Sequence, residues 1–148
     1  MLIGKVLTDD YDIFVTKLDP SQTGANQMVY TTYIRGADED KAFGMGVDIA
    51  GNACLVGLTW SDDFPTTPNA FQRNLDGSGD GVVVQLDATG AVHYASYLGG
   101  TGFEELLQVA VGDNGLIYAV GITDSSDFPM TGNAYQGSIS RPQWVELS

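Results

Sequence analysis

The sequence predicts an all-β chain built from antiparallel four-stranded units, and three observations carry that prediction. Residues 44–72 and 108–136 align without a gap at an offset of 64, with 13 of 29 positions identical. Self-similarity at a fixed period means supersecondary units that share a core with their neighbours. Short apolar runs are bounded by clusters of Gly, Asp and Asn, which is the punctuation of strands joined by turns. Alternation supplies the third: Phe14, Thr16 and Leu18 fall on one face of an extended segment, as Val82, Val84 and Leu86 do in its copy. Ile13, Val15 and Val83 keep the opposite face apolar too, so the strands read as covered on both sides.

Taken in order, the first unit supplies strands at 12–19 and 30–36, separated by the turn 21–27. The segment 12–19 recurs at 80–87 and 30–36 recurs at 94–100, offsets of 68 and 64. The four-residue difference falls in the turn, where length changes leave strand register intact. The complete unit then reads as four strands, 44–49, 53–59, 81–86 and 92–98. Its hairpins pass through Asp48-Ile49-Ala50-Gly51-Asn52 and Asp87-Ala88-Thr89-Gly90, residue types that tolerate the positive φ of tight turns. Between the second and third strands, Asp63-Phe64-Pro65 fixes a bend, because proline lacks a donor and holds its predecessor extended. Phe64 and Phe71, matched by Phe128 and Tyr135, are expected to plug the gap between neighbouring units. Glu104-Glu105-Leu106-Leu107 has a helical look, yet it stands where the first strand of a repeat begins. A degenerate third copy of the 80–86 strand is expected at Trp144-Val145-Glu146-Leu147.

Composition limits the function classes. Six Lys and Arg against 19 Asp and Glu give a net charge of −13. That balance disfavours nucleic acid and anionic membrane surfaces, which reward clustered basic residues, and favours solubility and cation binding. No basic segment followed by an apolar one stands at Met1, and no apolar run reaches membrane-spanning length, so no signal peptide and no membrane insertion are expected. Cys54 is the lone cysteine and aligns with Tyr118 inside an apolar strand, which makes it a buried, inert thiol.

One segment has the pattern of a cation loop. Asp76, Ser78 and Asp80 stand at alternate positions in Asp76-Gly77-Ser78-Gly79-Asp80-Gly81, with Gly81 after them. Alternate oxygen ligands beside glycine suit calcium, which takes six to eight oxygens. Calcium is therefore the candidate cofactor, although Asp87 replaces the glutamate that closes such loops and Asp12 lacks the equivalent neighbours. Asp63 and Asp127 recur just before Phe-Pro and are read as turn caps acting through their own backbone. Asp12 and Asp80 open equivalent strands in a similar role. His93 is the only histidine, Gly-x-Ser-x-Gly is absent, and the carboxylate pairs are sequence neighbours that point to opposite faces of a strand. A catalytic triad, a histidine metal site and paired-carboxylate hydrolysis all lack support.

Four ordered segments carry a family resemblance: Asp12 to Asp19, Tyr30 to Gly36, Val47 to Thr59 and Asp63 to Gln72. Together they resemble the bacterial SBBP-type β-propeller repeat. The resemblance implies a partial propeller with one four-stranded blade per repeat of about 64 residues, and an extracellular or cell-envelope location. It implies no catalytic residues. The units then fall at 1–36 (two strands of a blade), 43–100 (a full blade) and 106–148 (an incomplete one). Little more than two blades cannot close a propeller, which needs about four to eight. The chain is therefore expected to be a piece of a longer protein, since it begins and ends in mid-repeat, or a short chain whose copies form a ring. The expected partners are neighbouring blades or further copies of itself, with a protein or glycan ligand at the turns. The expected role is a non-catalytic structural or binding module of a surface or secreted protein. A propeller lyase or glycosidase is the alternative.

Overall fold

In the computed structural model, which describes residues 11–139, eight antiparallel strands form three sheets. The first sheet pairs β1 (Ile13–Leu18) with β2 (Met28–Ile34), the turn between them carrying the short 3-10 segment Gly24–Gln27. The central sheet runs β3 (Asp40–Val47), β4 (Ala53–Thr59), β5 (Asp80–Leu86) and β6 (Val92–Leu98) as a meander with neighbours in chain order. The third sheet pairs β7 (Glu104–Val111) with β8 (Ile117–Thr123). The all-β, antiparallel expectation holds, and Glu104 to Leu107 are strand. The segment 144–147 lies outside the described residues.

The sheets pack face to face, and the middle one is covered on both sides. On one side Ile13, Val15 and Ile34 of the first sheet meet Leu55, Val84 and Tyr97. On the other, Cys54, Val56 and Val83 meet Leu106, with Val109 and Ile117 against them. Burying a Val or Leu side chain contributes roughly 1.5–3 kcal/mol, so these two layers carry most of the stability. Every residue of β4 is buried, the signature of a strand with a sheet on each face. The first strands of the second and third sheets come closest: a Cβ on Gly44 would meet the Gln108 Cα at 2.8 Å. Only glycine permits that backbone approach.

The repeat extends to the irregularities. Register slips between Ala42 and Gly44 in β3, and between Leu106 and Gln108 in β7, leaving Phe43 and Leu107 as the extra residues of equivalent β-bulges. The hairpin turns are closed by aspartate or asparagine: Asp48 Oδ1 accepts the Ala50 and Asn52 amides, and Asp87 Oδ1 those of Thr89 and Ala91. Gly51, Gly90 and Gly115 supply the positive φ in the same place of each turn. Three expectations need correction. β3 starts at Asp40 rather than Gly44, because the bulge at Phe43 breaks the alternation that marks a strand. Phe64 is buried against Tyr97, but Phe71 and Tyr135 are exposed, so one aromatic of each pair plugs nothing within the described residues. Asp63 and Asp127 act beyond their own turns, reaching across to Ala37 and Thr101, with Asp127 also drawing on its own backbone amide.

Candidate functional site

The residues shared by both copies converge on a buried carboxylate at the start of each first strand. Asp40 opens β3, where the preceding loop turns back over the end of β4. Its Oδ2 accepts the Gly36 amide at 2.6 Å, and its Oδ1 accepts the Thr59 hydroxyl. The Ser61 hydroxyl lies 3.3 Å from Oδ2, while Asp63 Oδ1 takes the Ala37 amide at 2.7 Å. The next copy repeats this with a longer side chain. Glu104 accepts the Gly100 amide at 3.0 Å and the Thr123 hydroxyl at 2.5 Å, and Asp127 accepts the Thr101 amide at 3.0 Å. The Thr-x-Ser-x-Asp-Phe-Pro motif is thus a clamp binding the end of one strand to the loop that enters another. Burial raises the Asp40 pKa above the ordinary aspartate value, opposed by the Thr59, Gly36 and Ser61 hydrogen bonds and reinforced by the charge of Asp12. Sequence reasoning missed Asp40 and Glu104. Their signal was a carboxylate at the same offset, just outside the aligned block.

Of the calcium-loop residues, Asp80 is buried and Asp76 and Ser78 are exposed. Asp80 Oδ2 accepts the Gln72 side-chain amide at 2.7 Å and the Asp76 backbone amide at 3.1 Å, and Oδ1 accepts the Gly77 amide at 3.2 Å. Ser78 turns to Gly102 O, through its amide at 2.8 Å and its hydroxyl at 3.3 Å. Asp80 and Ser78 are thus both engaged with groups of the fold itself. Burial raises the Asp80 pKa, with Glu104 nearby adding to the effect. A Cβ on Gly99 would sit 2.5 Å from Glu104 Oε2 and 2.6 Å from the Asp80 carboxyl carbon, so this carboxyl pair flanks Gly99 where the second and third sheets meet.

Cys54 is buried and its thiol is pushed up to about 11, which keeps it protonated and inert. His93 is exposed at a bulge in β6. Among the described residues no three His, Cys, Asp or Glu side chains cluster as metal ligands. An apolar groove of about 420 Å³ lies beside the edge of β8 that has no strand partner among the described residues, floored by Val83, Tyr94, Ser96 and Leu98 and rimmed by Phe71. Another, of about 510 Å³, follows the edge of β1 left without a strand partner among the described residues, past Ile13, Phe14 and Phe43. No known family model and no curated protein matches this chain.

Proposed function

We propose that the chain is a non-catalytic structural and binding module of a β-propeller, whose stacked blades present turns to a protein or glycan at a bacterial surface or in a secreted protein. The observation that carries the reading is the central meander, sandwiched between two sheets through repeat-equivalent residues and repeated clamps. Convergence of β3 and β7 at Gly44 supports a radial arrangement of blades. The non-catalytic part rests on how the buried carboxylates are used. Asp40, Asp80 and Glu104 accept amides and hydroxyls of the fold itself, which is structural work. The surface or secreted setting comes from the SBBP-type resemblance.

The test is a tandem in which copies are joined head to tail by a flexible linker. Negative-stain microscopy is expected to show a ring, and an extended stack would remove the propeller reading. The same tandem on a glycan array, or on beads in culture supernatant, is expected to retain a ligand that is lost when 21–27 is replaced by glycine and serine. Turnover of an arrayed glycan would overturn the non-catalytic reading.

A further inference from the structure

We propose that a second copy of this chain completes both open sheets, with β8 of one copy pairing edge to edge with β1 of the next. The inference rests on the propeller reading and deepens it by naming the partner. Its basis is the register inside the central sheet. There β4 pairs with β5 from Ala53↔Leu86 to Thr59↔Asp80. The repeat equates β8 with β4 and β1 with β5, and the edges of β8 and β1 that correspond to this pairing are free among the described residues. Transferring the register pairs Tyr118 with Lys17, Val120 with Val15 and Ile122 with Ile13. The product is a four-stranded β7-β8-β1-β2 sheet, a copy of the central one.

Side-chain exposure says what lies on each face. Val82, Val84, Ala95 and Tyr97 are fully buried against the first sheet, whereas their repeat equivalents Phe14 and Tyr33 are 65% and 71% exposed. Phe14 and Tyr33 of an incoming copy fall over the groove beside β8. Its floor residues Val83, Tyr94 and Leu98 are the equivalents of Val15, Tyr30 and Ile34, against which Val84 and Tyr97 pack within one chain. The same movement brings exposed Tyr118 and Val120 onto exposed Met45 and Val47, as Cys54 and Val56 meet Val109 and Val111. Even the polar contact has its counterpart. The Tyr97 hydroxyl donates to Ser61 O at 2.7 Å and accepts the Phe64 amide at 3.0 Å. Tyr33 then meets Ser125 O and the Phe128 amide of the other copy. One contact thus fills both grooves, pairs both edges and covers four apolar strands.

The contact is heterologous, so it propagates until it closes. Each copy contributes two blades, one whole and two halves, and about four to eight blades close a propeller, which is two to four copies. Pairing of the same β8 edge with the chain's own 144–147 segment is the competing outcome of the test.

The experiment uses the full chain. Light scattering is expected to give a discrete mass of two to four chains. Phe14→Asp and Tyr33→Ala, both at exposed positions, are expected to weaken association at least tenfold while circular dichroism stays unchanged. A Lys17→Cys, Tyr118→Cys double variant is expected to form disulfides between copies, and Thr16→Cys with Tyr118→Cys is not, because Thr16 lies on the other face. A monomer, a multimer indifferent to Phe14→Asp and Tyr33→Ala, or a disulfide within one chain between Tyr118→Cys and Glu146→Cys would overturn the proposal. A monomeric chain whose linked tandem still forms a ring would remove this contact and leave the propeller reading standing.

Discussion

At Asp40 a carboxylate is held out of water by an amide and hydroxyls of the chain, and that arrangement sets its pH behaviour. Because its folded pKa is raised, the native state binds more protons than the unfolded state in the window above the ordinary aspartate value. Its contribution therefore falls as pH rises through that window. The exposed turn aspartates act in the opposite sense. Asp19, lowered chiefly by Ser21, and Asp48, lowered chiefly by Asn52, stabilise above the ordinary value, and that stability is lost as pH falls through their folded pKa. Thr59→Val removes a donor from the buried carboxylate and is expected to destabilise by about 1–3 kcal/mol. The loss should be larger near neutral pH than near pH 4, where Asp40 is more readily neutral; urea titrations at both pH values check this, and equal losses would show that Thr59 does not serve the charged form. Asp80, in the loop proposed for calcium, is held by the chain in the same manner. With Asp80 taking three donors and Ser78 turned to Gly102, millimolar calcium is expected to leave the melting temperature unchanged, and Asp80→Asn to lower it with or without calcium. A calcium-dependent rise abolished by Asp76→Ala would establish the cation site instead.

At the scale of strands and turns, the repeated Gly-x-Thr has two separate duties. The threonine feeds the buried carboxylate, and the glycine makes room for the bulge on the neighbouring strand. A Cβ on Gly57 would lie 1.8 Å from Lys41 O, and on Gly121 it would lie 2.2 Å from Glu105 O. Gly57→Ala must open the β3–β4 pairing at the bulge, at a cost of roughly 1–3 kcal/mol, the range of overpacked cores. Chemical denaturation should show a lower midpoint with unchanged slope, and an unaltered midpoint would mean the bulge can shift at no cost. Local pattern explains what could be read beforehand. Ala53–Thr59 and Val92–Leu98 are apolar runs between turn residues, and their bounds were readable from the chain. The start of β3 was not, because Phe43 interrupts the alternation. Nor were the clamps: Asp40 meets Thr59 across 19 residues and Asp63 meets Ala37 across 26, separations that only the sheet topology brings together. The repeat flagged Thr59 and Asp63 as shared without revealing what they hold.

At the scale of the whole molecule, the open apolar faces and the net charge oppose each other. Each copy carries −13, so approaching copies repel, while Phe14, Tyr33, Tyr118 and Val120 gain by leaving water. Screening acts on only one side of that balance. The Debye length falls from ~10 Å at 0.1 M salt to ~3 Å at 1 M, which removes most of the repulsion between exposed charges and leaves apolar burial intact. Association of this chain is therefore expected to strengthen with added sodium chloride, by about tenfold or more in dissociation constant across that range. Sedimentation velocity at several salt concentrations reads this directly. Two ion pairs are present among the described residues, Arg35–Asp12 at 3.7 Å and Lys41–Glu39 at 2.9 Å, and both join residues of one chain. Neither is available to tie copies together unless it first breaks. Association that weakens with salt would mean that a basic side chain, Lys17 at the contact itself among them, pairs with a carboxylate of the other copy, and the apolar pairing of β8 with β1 would no longer account for it.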